Sequence, residues 1–125
     1  RKVVALDGDS ACMMHMGAMT MVCKLDVPNF MHIVLNNGAH ESVGGQPSAG
    51  HKVDFTKIAE ACGYATVGHS VTTEVELVEA LAVLRDCGKA SFIDCRIHKG
   101  LSRKLPPIVF DHREVIDDLI DALSK

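Results

Sequence analysis

Two short polar clusters contain the residues with chemistry to offer. Asp7-Gly8-Asp9-Ser10 closes one apolar run, and Asn36-Asn37-Gly38 closes another after an interval of 25 residues. Asp9 brings a carboxylate and Asn37 an amide oxygen, while Gly38 and its neighbours free backbone carbonyls. Hard oxygen donors on a compact frame suit magnesium, which keeps part of its water and commonly binds a phosphate as well. A helix starting near Ala11, capped by Asp9 or Ser10, would aim unpaired N–H groups at the same place, a ready anion site. Gly8 lets the backbone approach a ligand closely. The residues describe a magnesium–phosphate site, with metal on Asp9 and Asn37 and phosphate at the helix start.

The elements that must bring these clusters together follow from hydrophobic patterning. Residues 3–6 (VVAL) and 30–35 (FMHIVL) are apolar runs without alternation, the signature of strands buried on both faces of a parallel sheet. Residues 11–23 predict a helix that is apolar almost all round, with five of the six methionines at positions 13–21. Such a helix lies in a core or an interface. Residues 38–52 form a loop with four glycines (Gly38, Gly44, Gly45, Gly50), and loops this long are more often functional than idle.

Asp54 caps a short helix that Gly63 ends, and residues 64–68 predict a strand. Thr73-Glu74-Val75-Glu76 is a capping box before a helix with Leu77, Leu81 and Leu84 on one face. Residues 90–97 read as the fourth strand. Asp111 caps a last helix with Val115, Ile116, Leu119, Ile120 and Leu123 in a stripe. Strands alternating with helices predict an α/β fold, a doubly wound parallel sheet flanked by helices. Ligands of such sheets bind beyond the carboxyl ends of the strands, and both polar clusters fall at such ends.

Composition narrows the function. With 125 residues, one domain over 1–125 is expected. Apolar residues make up 47% and charged residues 23%, which excludes wholesale disorder. Thirteen basic against sixteen acidic residues, with four Phe and one Tyr, make a poor nucleic-acid surface. Five cysteines without a C-x-x-C read as reduced thiols of a cytoplasmic protein. The longest nearly uncharged stretch is too short to span a bilayer and contains His15, so no membrane partner is expected. Arg1 leads straight into an apolar strand pattern without a signal peptide. The expectation is a fold truncated at its N-terminus, a piece of something longer.

Gly8-Asp9-Ser10 followed at this distance by Asn36-Asn37 resembles the thiamine-diphosphate motif, which begins G-D-G and ends N-N. Residues 35–47 (L-N-N-G-A-H-E-S-V-G-G-Q-P), with H-M-G-A at 15–18, resemble the phosphonopyruvate decarboxylases more closely. The resemblance covers essentially the whole chain. It implies the thiamine-diphosphate-binding fold and the pyrophosphate-binding domain of a 2-oxo acid decarboxylase. The reaction implied converts phosphonopyruvate to phosphonoacetaldehyde and CO2; sulfopyruvate decarboxylase, also acting on a small anionic 2-oxo acid, is the close alternative.

The resemblance makes Asp9 and Asn37 side-chain ligands of Mg2+, and the Ala39 carbonyl a third. It puts Gly8, Asp9, Ser10, Ala11, Asn37, Ala39 and His40 around the cofactor. Ser10 stands where the family usually has glycine; at positive φ it would cost roughly 1 kcal/mol, but its hydroxyl can donate to a phosphate oxygen. The partner implied is a pyrimidine-binding domain or subunit of the same enzyme, in a homo-oligomer, whose glutamate assists the cofactor. The chain alone is expected to be inactive.

His40 and Glu41 lie in the glycine loop, where a proton donor is needed after decarboxylation; the plain alternative is two solvated loop residues. His51 is read as inert, His15 as a core or interface histidine, and His32 as structural. Lys99, Arg103 and Lys104 would suit an anionic tail, although such clusters usually face water. Two other readings compete. Asp7-Gly8-Asp9 fits aspartyl-phosphate phosphatases, but position 11 is alanine where they usually have threonine. A receiver-like, non-catalytic Mg2+ module would use Asp7 or Asp9 with Lys99, and leaves Asn36-Asn37 unexplained.

Overall fold

A computed structural model describes residues 1–100 and 109–124. Three parallel strands form the sheet in the order β1 (Val3–Gly8), β2 (Phe30–Asn36), β5 (Ser91–Arg96). Gly8 pairs with Leu35, and Asn36 with Arg96, so the carboxyl ends of all three strands lie level. The crossover from β1 to β2 runs through α1 (Asp9–Met14), a 3₁₀ turn (Met16–Thr20) and α2 (Met21–Leu25). A small antiparallel hairpin, β3 (Ala39–His40) and β4 (Gln46–Pro47), opens the glycine loop. Then come α3 (Phe55–Ala61), α4 (Glu74–Leu84), β5 and, beyond the undescribed stretch, α5 (His112–Ser124).

Each side of the sheet has its own apolar cluster. Val34 and Phe92 pack against Cys12, Met19, Phe55 and Ala59 on the side of α1 and α3. Ile33 and Ile93 pack against Ala80 and Leu84 of α4 on the other. Helices thus cover both faces, as expected of a doubly wound α/β fold. The capping box is present in full: Thr73 accepts from the Glu76 N–H, and the Glu76 carboxylate accepts from the Thr73 N–H at 3.2 Å. Asp54 caps α3 by accepting from the Lys57 N–H.

Four expectations need correction. The Met-rich helix is broken into three short pieces, with Met14 and Met21 exposed and Met19 buried. Its start is capped by Gly8 without a side-chain bond, not by Asp9 or Ser10. Asp26 ends it in the left-handed region (φ 45°), a conformation that Asp tolerates better than most residues. Residues 64–68 are not a strand: Ala65 and Val71 each bridge to β5 as isolated pairs. Between them Gly68 turns at φ 80°, its N–H held by the Thr66 hydroxyl.

β1 is not buried on both faces, since Val3, Val4 and Leu6 are exposed at the sheet edge. The apolar stripe of α5 is exposed too. Among the described residues no helix is long and apolar enough to cross a membrane. Arg103 and Lys104 lie outside the described residues, and Lys99 is exposed.

Candidate functional site

A crevice of about 490 Å³ opens at the carboxyl ends of β1 and β2. Gly8, Asp9, Ser10 and Ala11 line one wall, and Asn37, Ala39, His40 and Glu41 the other. All the residues singled out for metal, cofactor and catalysis therefore border one space. The parallel register brings them together, because the Gly8–Leu35 pair sets the start of α1 beside the Asn36-Asn37 turn.

Asp9 is 1% exposed, and its Oδ2 accepts a hydrogen bond from the Ser48 hydroxyl. Ser48 in turn accepts from the Gly50 N–H at 3.0 Å. Among the described residues no Lys, Arg or His forms an ion pair with Asp9. A buried carboxylate without a cation is costly, so its surroundings fit a metal ion. Ser10 lies within α1 and its φ is not positive, so the strain foreseen for serine there does not arise. Its hydroxyl is buried without a hydrogen-bond partner, a donor with nothing to donate to. A Cβ at Gly8 would meet nothing within 4 Å, which leaves that side of the crevice open to a ligand.

Asn37 is held at both ends of its amide. Its Oδ1 accepts the Ala39 N–H at 3.0 Å, and its Nδ2 donates to Glu41 Oε2 at 2.7 Å. The other Glu41 oxygen accepts from the Gly100 N–H. Glu41 is thus a brace on Asn37 with both oxygens engaged, while His40 is half-buried on the crevice wall. His51 is outside the crevice lining: its Nε2 lies 3.4 Å from the Asn36 carbonyl, and its ring sits where a Cβ on Gly38 would go. His15 is exposed rather than a core histidine.

Sequence reasoning missed the support beneath the crevice. Asn36, fully buried, donates from Nδ2 to the Gly50 carbonyl (2.9 Å) and to Asp94 Oδ1 (3.1 Å). The Ser70 hydroxyl donates to the other Asp94 oxygen. Gly50 is required here by space: a Cβ on it would lie 2.2 Å from Asp9 Oδ2 and 2.5 Å from Asn36 Oδ1. The doubled asparagine and the lone aspartate inside an apolar strand were the available signals, since a polar residue in a buried strand must find a partner.

The thiamine pyrophosphate enzyme family, C-terminal TPP binding domain, matches residues 1–95. The chain belongs to that family. Its α/β sheet is the thiamine-diphosphate-binding fold. Phosphonopyruvate decarboxylase of Streptomyces viridochromogenes is 42% identical over 100 residues, 80% of this chain and 25% of that protein. The Streptomyces hygroscopicus phosphonopyruvate decarboxylase is 39% identical over 82 residues, 66% of this chain and 20% of the relative. Sulfopyruvate decarboxylase subunit beta of Methanococcus maripaludis is 28% identical over 126 residues, 99% of this chain and 65% of the subunit. The chain thus spans a quarter or less of the two Streptomyces relatives.

Proposed function

We propose that this chain is the diphosphate- and magnesium-holding part of a decarboxylase that converts phosphonopyruvate to phosphonoacetaldehyde and CO2. The observation that carries the reading is the pairing, on one crevice, of a buried uncompensated carboxylate (Asp9) with a buried unpartnered hydroxyl (Ser10). The first asks for a cation and the second for an acceptor such as a phosphate oxygen. Asp9, Asn37 and the Ala39 carbonyl would hold Mg2+, and Gly8, Ser10 and Ala11 the diphosphate. When bound, thiamine diphosphate supplies the electron sink that a 2-oxo acid needs in order to lose CO2.

The chain's own residues then have distinct tasks. Ser48 keeps Asp9 oriented, and Glu41 keeps the Asn37 amide turned so that its oxygen stays on the crevice side. His40 is the proton donor to the product carbon, a task that Glu41, with both oxygens bonded, is less free to perform. A pyrimidine-binding domain or subunit, in a homo-oligomer, would complete the site. The cysteines, without a disulfide pattern, suit a cytoplasmic enzyme.

The test is calorimetric titration of the complete protein with thiamine diphosphate, with and without Mg2+. Coupled binding is expected, lost in Asp9→Ala and in Asn37→Ala; binding indifferent to Mg2+ or to Asp9 refutes the site. Sulfopyruvate is the second reading, supported by the 28% identical subunit that matches 99% of this chain. Decarboxylation assayed with both acids separates them, and a higher kcat/KM for phosphonopyruvate is the expected result.

A further inference from the structure

A second cluster of ligating groups borders a cavity that shares no lining residue with the crevice. One ligand atom each from Asp7, Cys12 and His32 lies within 4.8 Å of the other two. Three elements supply them: Asp7 the end of β1, Cys12 the middle of α1, and His32 the body of β2. Cys12 and His32 are buried and Asp7 is half-buried.

Each group is oriented. The Asp7 Oδ1 accepts the Gly8 N–H at 3.0 Å, which leaves Oδ2 facing His32 Nε2 at 3.4 Å. The His32 ring is set edge-on to Phe92, centroids 5.2 Å apart at 86°. The Cys12 thiol donates to Met19 Sδ at 3.9 Å. The bonded Oδ1 of Asp7 is the kind of outer hydrogen bond that orients a metal-ligating side chain. A cavity of about 200 Å³ borders all three residues, with space for water at a further coordination position.

We propose that Asp7, Cys12 and His32 form a binding site for a borderline-soft divalent cation of the Zn2+ class, separate from the oxygen-lined crevice. The donor set decides the class: thiolate, imidazole and one carboxylate suit Zn2+, whereas Mg2+ prefers oxygen alone. Three protein ligands with space for water match the open type of zinc site. Charge agrees, because a thiolate and a carboxylate balance a divalent ion. Burial, reinforced by Asp7, Asp94 and Asp9, pushes the Cys12 thiol up to about 11; the same carboxylates that oppose a bare thiolate favour a cation beside it. Burial outweighs the opposing pull of Asp7 and holds the His32 imidazole below its ordinary value, which favours the neutral form that ligates. The ion would tie β1, α1 and β2 together.

Co2+ is the probe, added to the complete protein in the presence of excess Mg2+, with Cys87→Ser as background to remove the thiol that is exposed among the described residues. Thiolate-to-cobalt charge-transfer absorption is expected, with the visible bands of a four-coordinate ion and one equivalent bound. Cys12→Ser should abolish the thiolate absorption, and His32→Gln should weaken binding by at least about tenfold, since even outer-shell losses cost that much. Cys12→Ala, with circular dichroism as a check on folding, stands in if the serine variant fails to fold. Absence of the absorption, its persistence without Cys12, or displacement by Mg2+ would overturn the assignment. None of these outcomes depends on whether thiamine diphosphate binds.

Discussion

β1 and β2 are neighbouring strands, both mainly apolar, one VVALDG and the other FMHIVLN, yet they live in different surroundings. In the row where Leu6 pairs with Ile33, Leu6 is 67% exposed and Ile33 is 8% exposed. β2 has a strand on each side and an apolar cluster on each face, whereas β1 has a strand on one side and little above or below. The same contrast continues at the strand ends. Asn36 is locked into a buried network, while Gly8 borders open space. A site built this way has a rigid floor on the β2 side and an accessible wall on the β1 side.

The largest effect that tests this contrast is expected in the Leu6–Ile33 row. Ile33→Ala should cost about 2–5 kcal/mol, as truncations in packed cores do. Leu6→Ala should cost under about 0.5 kcal/mol, the usual range for surface changes. Urea denaturation of both variants measures the difference. A comparable cost at Leu6 would break the comparison and mean that something beyond the described residues covers β1.

The two asparagines sharpen it at the strand end. Asn36→Ala strands the Gly50 carbonyl and removes one of the donors to buried Asp94, so about 2–4 kcal/mol of stability should go, taking roughly 1–3 kcal/mol for the unsatisfied carbonyl and about 1 kcal/mol for the bond that Asp94 loses. Asn37→Ala, half-buried, should leave stability within about 1 kcal/mol while removing Mg2+-coupled cofactor binding. Calorimetry beside denaturation reads both. Gly50→Ala lies between: forcing a methyl against Asp9 and Asn36 should cost about 1–3 kcal/mol, the range for overpacking, and should weaken cofactor binding as Asp9 shifts.

Much of this was legible in the residues. Strands β2 and β5 announce themselves as apolar runs, α4 by its capping box, and the crevice by two polar clusters at strand ends. What the sequence hides is context. The run of methionines looks like one helix because Met is a good helix former, and nothing local reveals the turn at His15 or the left-handed Asp26. The exposure of β1 is invisible because burial belongs to neighbours, not to the strand itself. Asn36 and Asn37 are identical letters, and only the pleat decides that the first goes inward and the second to the crevice. Ser48 and Gly50 bear on Asp9 across 39 and 41 residues of chain, a contact that no local pattern encodes.

The smallest effect lies away from both strands, at the solvent-facing start of α4. Thr73→Ala removes the acceptor for the Glu76 N–H and should cost about 0.5–2 kcal/mol, the usual value of a cap. Its reciprocal partner carries a pH signature. Hydrogen bonds from the Thr72 N–H and hydroxyl, then from the Thr73 N–H, hold the Glu76 carboxyl below its ordinary 4.5. The unfolded chain therefore takes up a proton at higher pH than the folded one does. The stabilisation is complete above 4.5 and is lost as pH falls through the depressed folded value. Glu76→Gln should flatten that part of the stability profile. An unchanged acid slope would mean that the cap contributes no charge-dependent stability and that α4 is held by Ala80 and Leu84 against the sheet alone.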